Sequence, residues 1–99
     1  MSNGWFQTDQ LQITQGQESI KIYEDKSTAS GHILKRSFCG TCGSRFFAQS
    51  AMPEMAQFVA VASGTMDNRA NLHPSTEAWT RSRHPWLLPV EGAEQREMY

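Results

Sequence analysis

Both cysteines of this 99-residue sequence lie in one run, Arg36-Ser37-Phe38-Cys39-Gly40-Thr41-Cys42-Gly43-Ser44. Two thiolates in C-x-x-C spacing can share one side of a tight turn and grip a single cation, and soft sulfur ligands favour zinc. The glycines fit that geometry. Gly40 falls inside the expected turn, and Gly43 follows the second sulfur, where a positive φ is easy only without a Cβ. The expected cofactor is therefore zinc, held by Cys39 and Cys42. A closed structural zinc site needs four ligands, and this chain offers two cysteines. His32, His73 and His84 lack the short paired spacing of a zinc finger's second half. The remaining ligands are expected from a second copy, in a homodimer, or from a separate N-terminal partner. Two other readings stay open: a redox pair of the thioredoxin kind, and a local disulfide or idle thiols. A redox pair calls for a strand-to-helix junction, whereas Phe46-Phe47-Ala48 after the motif reads as a strand.

A hairpin with the cysteines at its tip must hold such a turn. His32 to Phe38 alternates and runs straight into Cys39, and Phe46-Phe47-Ala48 is the return strand. Ahead of it, Trp5-Phe6 begins an edge strand. Leu11 and Ile13 alternate with Gln10, Gln12 and Thr14 in the period of a half-buried strand, and Ile20 to Tyr23 alternates likewise. Gln15 to Glu18 reads as a turn, and Glu24 to Gly31 as a polar loop. Beyond the hairpin, Pro53 marks a loop, and Gln57 to Ser63 is the most apolar run, a central strand ended by turn chemistry at Gly64 to Asn68. Leu72 to Glu77 has the residues to cap one helical turn, and Glu91 to Tyr99 is polar and expected to fray. With no repeat or linker, residues 1–99 are expected to form a single, mainly β, antiparallel-sheet zinc-knuckle domain.

The net charge of −1, with both signs interspersed, gives no basic stripe of the kind nucleic acid attracts. No apolar run approaches a membrane span, and no charged-then-apolar leader opens the chain. Two cysteines are too few for a disulfide scaffold. A cytoplasmic protein that binds neither nucleic acid nor membrane is expected.

Several separated pieces resemble one family. Trp5, Leu11-Gln12-Ile13-Thr14-Gln15-Gly16, Ile22-Tyr23, the Arg36-to-Ser44 run, Ala62-Ser63-Gly64-Thr65-Met66-Asp67 and Pro85-Trp86 occur in the order and at about the spacing of the glutathione-dependent formaldehyde-activating enzymes, also called the centromere-protein-V-like domain. The resemblance implies a zinc-binding fold of stacked antiparallel sheets and carbon–sulfur lyase chemistry, the joining of formaldehyde to glutathione. It also implies two metal centres. An N-terminal C-x-C pair joins the later C-x-x-C around a structural zinc, and a further cysteine cluster holds the zinc that acts in chemistry. Cys39 and Cys42 match half of the structural site, and no residue of this chain matches the catalytic one. A shortened, zinc-binding member with no catalytic residues of its own is therefore expected. The alternative is an active lyase that takes a small thiol, a glutathione adduct, at a metal shared across an oligomer interface.

Four further places invite a functional role. Asp67-Asn68 suits a substrate contact but equally suits turn chemistry. His84, before Pro85-Trp86, is a candidate ligand or base, or a surface corner. Arg81 and Arg83 have the fork to hold a carboxylate, or form a solvated basic segment beside the tryptophans.

Overall fold

The computed structural model describes residues 2–99, which fall into two compact units that divide between Arg69 and Ala70. Its regular structure is β-strand and short 3-10 turns. Among the described residues no helix is long and apolar enough to cross a membrane.

The first unit is one antiparallel sheet of five strands: β1 (Asn3–Gln7), β2 (Ile20–Asp25), β3 (Leu34–Cys39), β4 (Arg45–Ser50) and β5 (Phe58–Ala62), in the order β1-β5-β4-β3-β2. Antiparallel partners share a face, so the registers define rows across the sheet. Gly4, Val61, Phe47, Ser37 and Ile22 form one row, and Trp5, Ala60, Ala48, Arg36 and Tyr23 form the next on the opposite face. The buried residues lie in the inner strands: Val59 is 0% exposed, its neighbour in β5, Ala60, is buried, and so is Ser37 in β3. The apolar run around Val59 is an interior strand, as its β-branched residues predict, with β1 on one side and β4 on the other. Trp5-Phe6 lies in the edge strand β1.

Residues 10–14 are the first correction. β1 and β2 occupy opposite edges, so the chain between them must cross the sheet, about 19 Å at the usual strand spacing. A segment that crosses strands pairs with none of them. Leu11 to Thr14 accordingly belongs to no strand; Leu11 is half-buried but Ile13 is exposed, so the alternation marks neither a ladder nor a covered side. Thr8 anchors the near end, its N–H and Oγ1 both donating to the Gln57 carbonyl at 2.8 and 2.9 Å.

The second unit contains the other two corrections. No helical turn forms over Leu72 to Glu77. Instead β6 (Thr76–Glu77) pairs in parallel with β7 (Glu94–Gln95), so the tail is tied down where fraying was expected. The Trp79 N–H donates to the Met98 carbonyl at 2.7 Å, and the Trp79 and Tyr99 rings lie 5.5 Å apart. Glu77 is the hub. Its Oε2 accepts from Arg83 Nη2, the Val90 N–H and Gln95 Nε2 at 2.8, 3.1 and 2.7 Å.

Candidate metal knuckle

The β3–β4 hairpin closes between Cys39 and Ser44, the Cys39 N–H donating to the Ser44 carbonyl at 2.8 Å. Inside this closure the Gly43 N–H donates to the Cys39 carbonyl at 2.8 Å, and Gly43 adopts φ +81°, the left-handed region its lack of a Cβ makes accessible. Gly40 is required for another reason. Its N–H donates to the Ser19 carbonyl at 2.8 Å, and a Cβ there would stand 2.7 Å from Lys21 Cγ, whose stem lies across the turn.

The two sulfurs differ in setting. Cys39 is half-buried and Cys42 is exposed. The Thr41 N–H points at Cys39 Sγ from 3.4 Å, while Cys42 Sγ and Ser44 Oγ share a hydrogen bond at 3.2 Å. Hydrogen bonding from the backbone N–H of Cys42, then that of Thr41, then the Cys42 side chain holds the Cys39 thiol below its ordinary pKa. Peptide donors aimed at sulfur stabilise the thiolate, the form that ligates metal. The donor set fits zinc as two of its four ligands. Among the described residues there is no group of three or more His, Cys, Asp or Glu side chains that could hold a metal ion.

Just below the knuckle the register slips: Ser37 faces Phe47 but Phe38 faces Arg45, leaving Phe46 as the extra residue of a β-bulge. Bulges re-aim side chains. Here the consecutive Phe46 and Phe47 both line one open groove of about 530 Å³, with Gln12 to Gly16, Ser19, Ile20 and Thr65. Ile20 is the register partner of Cys39, so the groove reaches the strand position opposite that cysteine. Period-2 reading assigns Phe46 and Phe47 to opposite faces and so misses the groove. The cue was two adjacent bulky residues beside a tight turn.

Asp67 and Asn68 sit in a turn and also line a second groove, of about 410 Å³, with Phe6, Leu11, Val61 and Met66. His84 stacks on Trp86 at 5.4 Å with the planes 6° apart. Arg81 lies over the Trp79 ring at 5.4 Å, and Arg83 is engaged by Glu77 and Gln95. Both arginines thus have structural occupations within their own unit.

No curated protein and no solved structure matches the chain. The family model described as glutathione-dependent formaldehyde-activating enzyme matches residues 1–82, which include the whole five-stranded sheet and the knuckle. By that match the chain belongs to the glutathione-dependent formaldehyde-activating enzyme family.

Proposed function

We propose that this chain is a zinc-binding domain in which Cys39 and Cys42 are two of the four thiolate ligands of a structural zinc, with no catalytic cluster among its own residues. The observation that carries the reading is the knuckle itself: paired thiols at a hairpin tip, peptide N–H groups directed at Cys39, and Gly43 in the left-handed turn. The other two ligands come from another polypeptide, a second copy or a cysteine-bearing N-terminal partner. Zinc bound there contributes folding energy, because the site is assembled only when the chain is folded, and four thiolates leave no position for substrate. The test is zinc content per chain measured beside mass in solution. About one zinc per two chains is expected where two copies complete the site. Metal-free protein from a zinc-supplied, reducing preparation overturns the reading.

The groove beside the knuckle favours a second reading, a carbon–sulfur lyase acting on glutathione adducts through a metal shared across an interface. Its lining of apolar Phe46, Phe47 and Ile20 together with polar Gln12, Gln15, Ser19 and Thr65 suits a small peptide thiol. Zinc with an open position would supply thiol activation, while the chain's part is to hold the ligand beside the sulfurs. Formaldehyde consumption with glutathione, lost in Cys42→Ser while the fold persists, supports it. No turnover by folded, zinc-loaded protein rules it out.

A further inference from the structure

The sheet has an uncovered edge. β2 is six residues long, pairs with β3 in unbroken register, contains no proline or bulge, and has no strand on its other side. Ile22 and Tyr23 stand 60% and 59% exposed, one on each face of this edge. A long, regular edge strand with exposed Ile22 and Tyr23 is a template for strand addition, and its charges at Lys21, Glu24 and Asp25 restrict which strand can be added.

The charges of β2 indicate the occupant. The strand reads Ile20-Lys21-Ile22-Tyr23-Glu24-Asp25, with its base near the start and its acids at the end. Such a strand is complementary to itself when antiparallel and repulsive when parallel. Edge-to-edge pairing about a two-fold axis normal to the sheet matches residues of the same face, so it must be centred on one residue. Centring on Lys21 or Glu24 opposes like charges, and centring on Ile22 sets Lys21 against a tyrosine. Centring on Tyr23 sets Lys21 against Asp25 of the second copy at both ends, where Arg36 and Ser27 already hold that carboxylate, and Ile22 against Glu24, with the two tyrosines facing at the middle. Lys21 and Glu24 form no ion pair among the described residues, so the Lys21 ammonium is unengaged.

We propose that two copies of this chain associate through antiparallel β2–β2 pairing centred on Tyr23, joining their sheets into one of ten strands. The interface is distinct from the metal site. Cys39 lies opposite Ile20, and this pairing offsets the two Ile20 residues by about 20 Å along the strands, so the two knuckles cannot share an ion.

Sedimentation of the full chain, with and without a zinc chelator, tests the proposal. A dimer that survives chelation is expected. Lys21→Glu, checked for intact β-structure by circular dichroism, is expected to weaken it about tenfold, by replacing two attractive cross-strand pairs with two repulsive ones. Tyr23→Cys is expected to give a cross-link between the two substituted positions on mild oxidation, identified by peptide mapping. Directly opposed residues in antiparallel strands stand within disulfide range. A monomeric wild type, a dimer dispersed by chelation, or a dimer indifferent to Lys21→Glu that yields no cross-link at position 23 overturns it. So does an extended segment of a different protein found along β2.

Discussion

Arg36 on β3 donates through both Nε and Nη2 to a single oxygen of Asp25 at the end of β2, at 3.0 and 2.9 Å. The other carboxylate oxygen accepts the N–H and hydroxyl of Ser27 at 3.0 and 2.8 Å. One side chain thus ties the strand pair to the loop that joins it.

This arrangement sets a pH dependence. The Ser27 hydroxyl, then the Arg36 guanidinium, then the Ser27 N–H hold the Asp25 carboxyl below its ordinary value. A depressed folded pKa contributes stability that is fully present above the ordinary aspartate value and lost as pH falls through the lower one. Asp25→Asn is therefore expected to destabilise the protein at neutral pH, and the gap to wild type to narrow in acid. Urea denaturation of both proteins across that range checks it, and a gap independent of pH contradicts it.

Gly43 and Gly64 form a paired test of turn geometry. Gly43→Ala places a Cβ at φ +81° and is expected to cost about 1 kcal/mol or more. Gly64 has an ordinary φ and open space around a would-be Cβ, so Gly64→Ala should be neutral or slightly stabilising. Equal effects in equilibrium denaturation would remove the conformational argument.

Val59 is the largest fully buried side chain among the described residues. Val59→Ala is expected to cost about 2 kcal/mol, from lost transfer energy and an imperfectly collapsed cavity. Against the usual 5–15 kcal/mol of total stability this is a large fraction. A midpoint shift without a change in the denaturant slope is the expected signature.

In metal-free protein, Cys39 is expected to alkylate with a pH midpoint below that of an ordinary thiol, because peptide donors hold its pKa down. Iodoacetamide labelling followed peptide by peptide reads this directly. Thr41→Pro deletes one of those donors and is expected to move the midpoint up; an unmoved midpoint assigns the effect elsewhere.

The Glu77 carboxylate should govern protection in the second unit. Glu77→Gln keeps the shape but weakens three acceptor contacts, so faster hydrogen exchange at the Val90 amide is expected. Unchanged exchange there would show the hub to be incidental.

How much of this could be read in advance differs from element to element. The hairpin, the apolar interior strand and the role of Gly43 follow from local rules, since turn chemistry and period-2 patterning act over a few residues, whereas the approach of Lys21 and Ser19 to Gly40 comes from around the start of β2, distant in the sequence. The crossing segment at Leu11 to Thr14 does not, because so short an alternation is silent on whether a partner strand lies alongside, and here Ile13 is left exposed. The pairing of Thr76–Glu77 with Glu94–Gln95 joins residues eighteen apart through two-residue strands, too short to leave a pattern. The groove beside the cysteines depends on the single extra residue Phe46, and a bulge has no periodic signature of its own.

The tie from the Gly40 N–H to the Ser19 carbonyl means that the hairpin tip does not swing freely. Its backbone is already gathered by the neighbouring chain before any ion arrives, so capture of a cation forfeits less freedom than it would in an isolated C-x-x-C peptide. Such a peptide should therefore be the weaker chelator, even with the same two sulfurs.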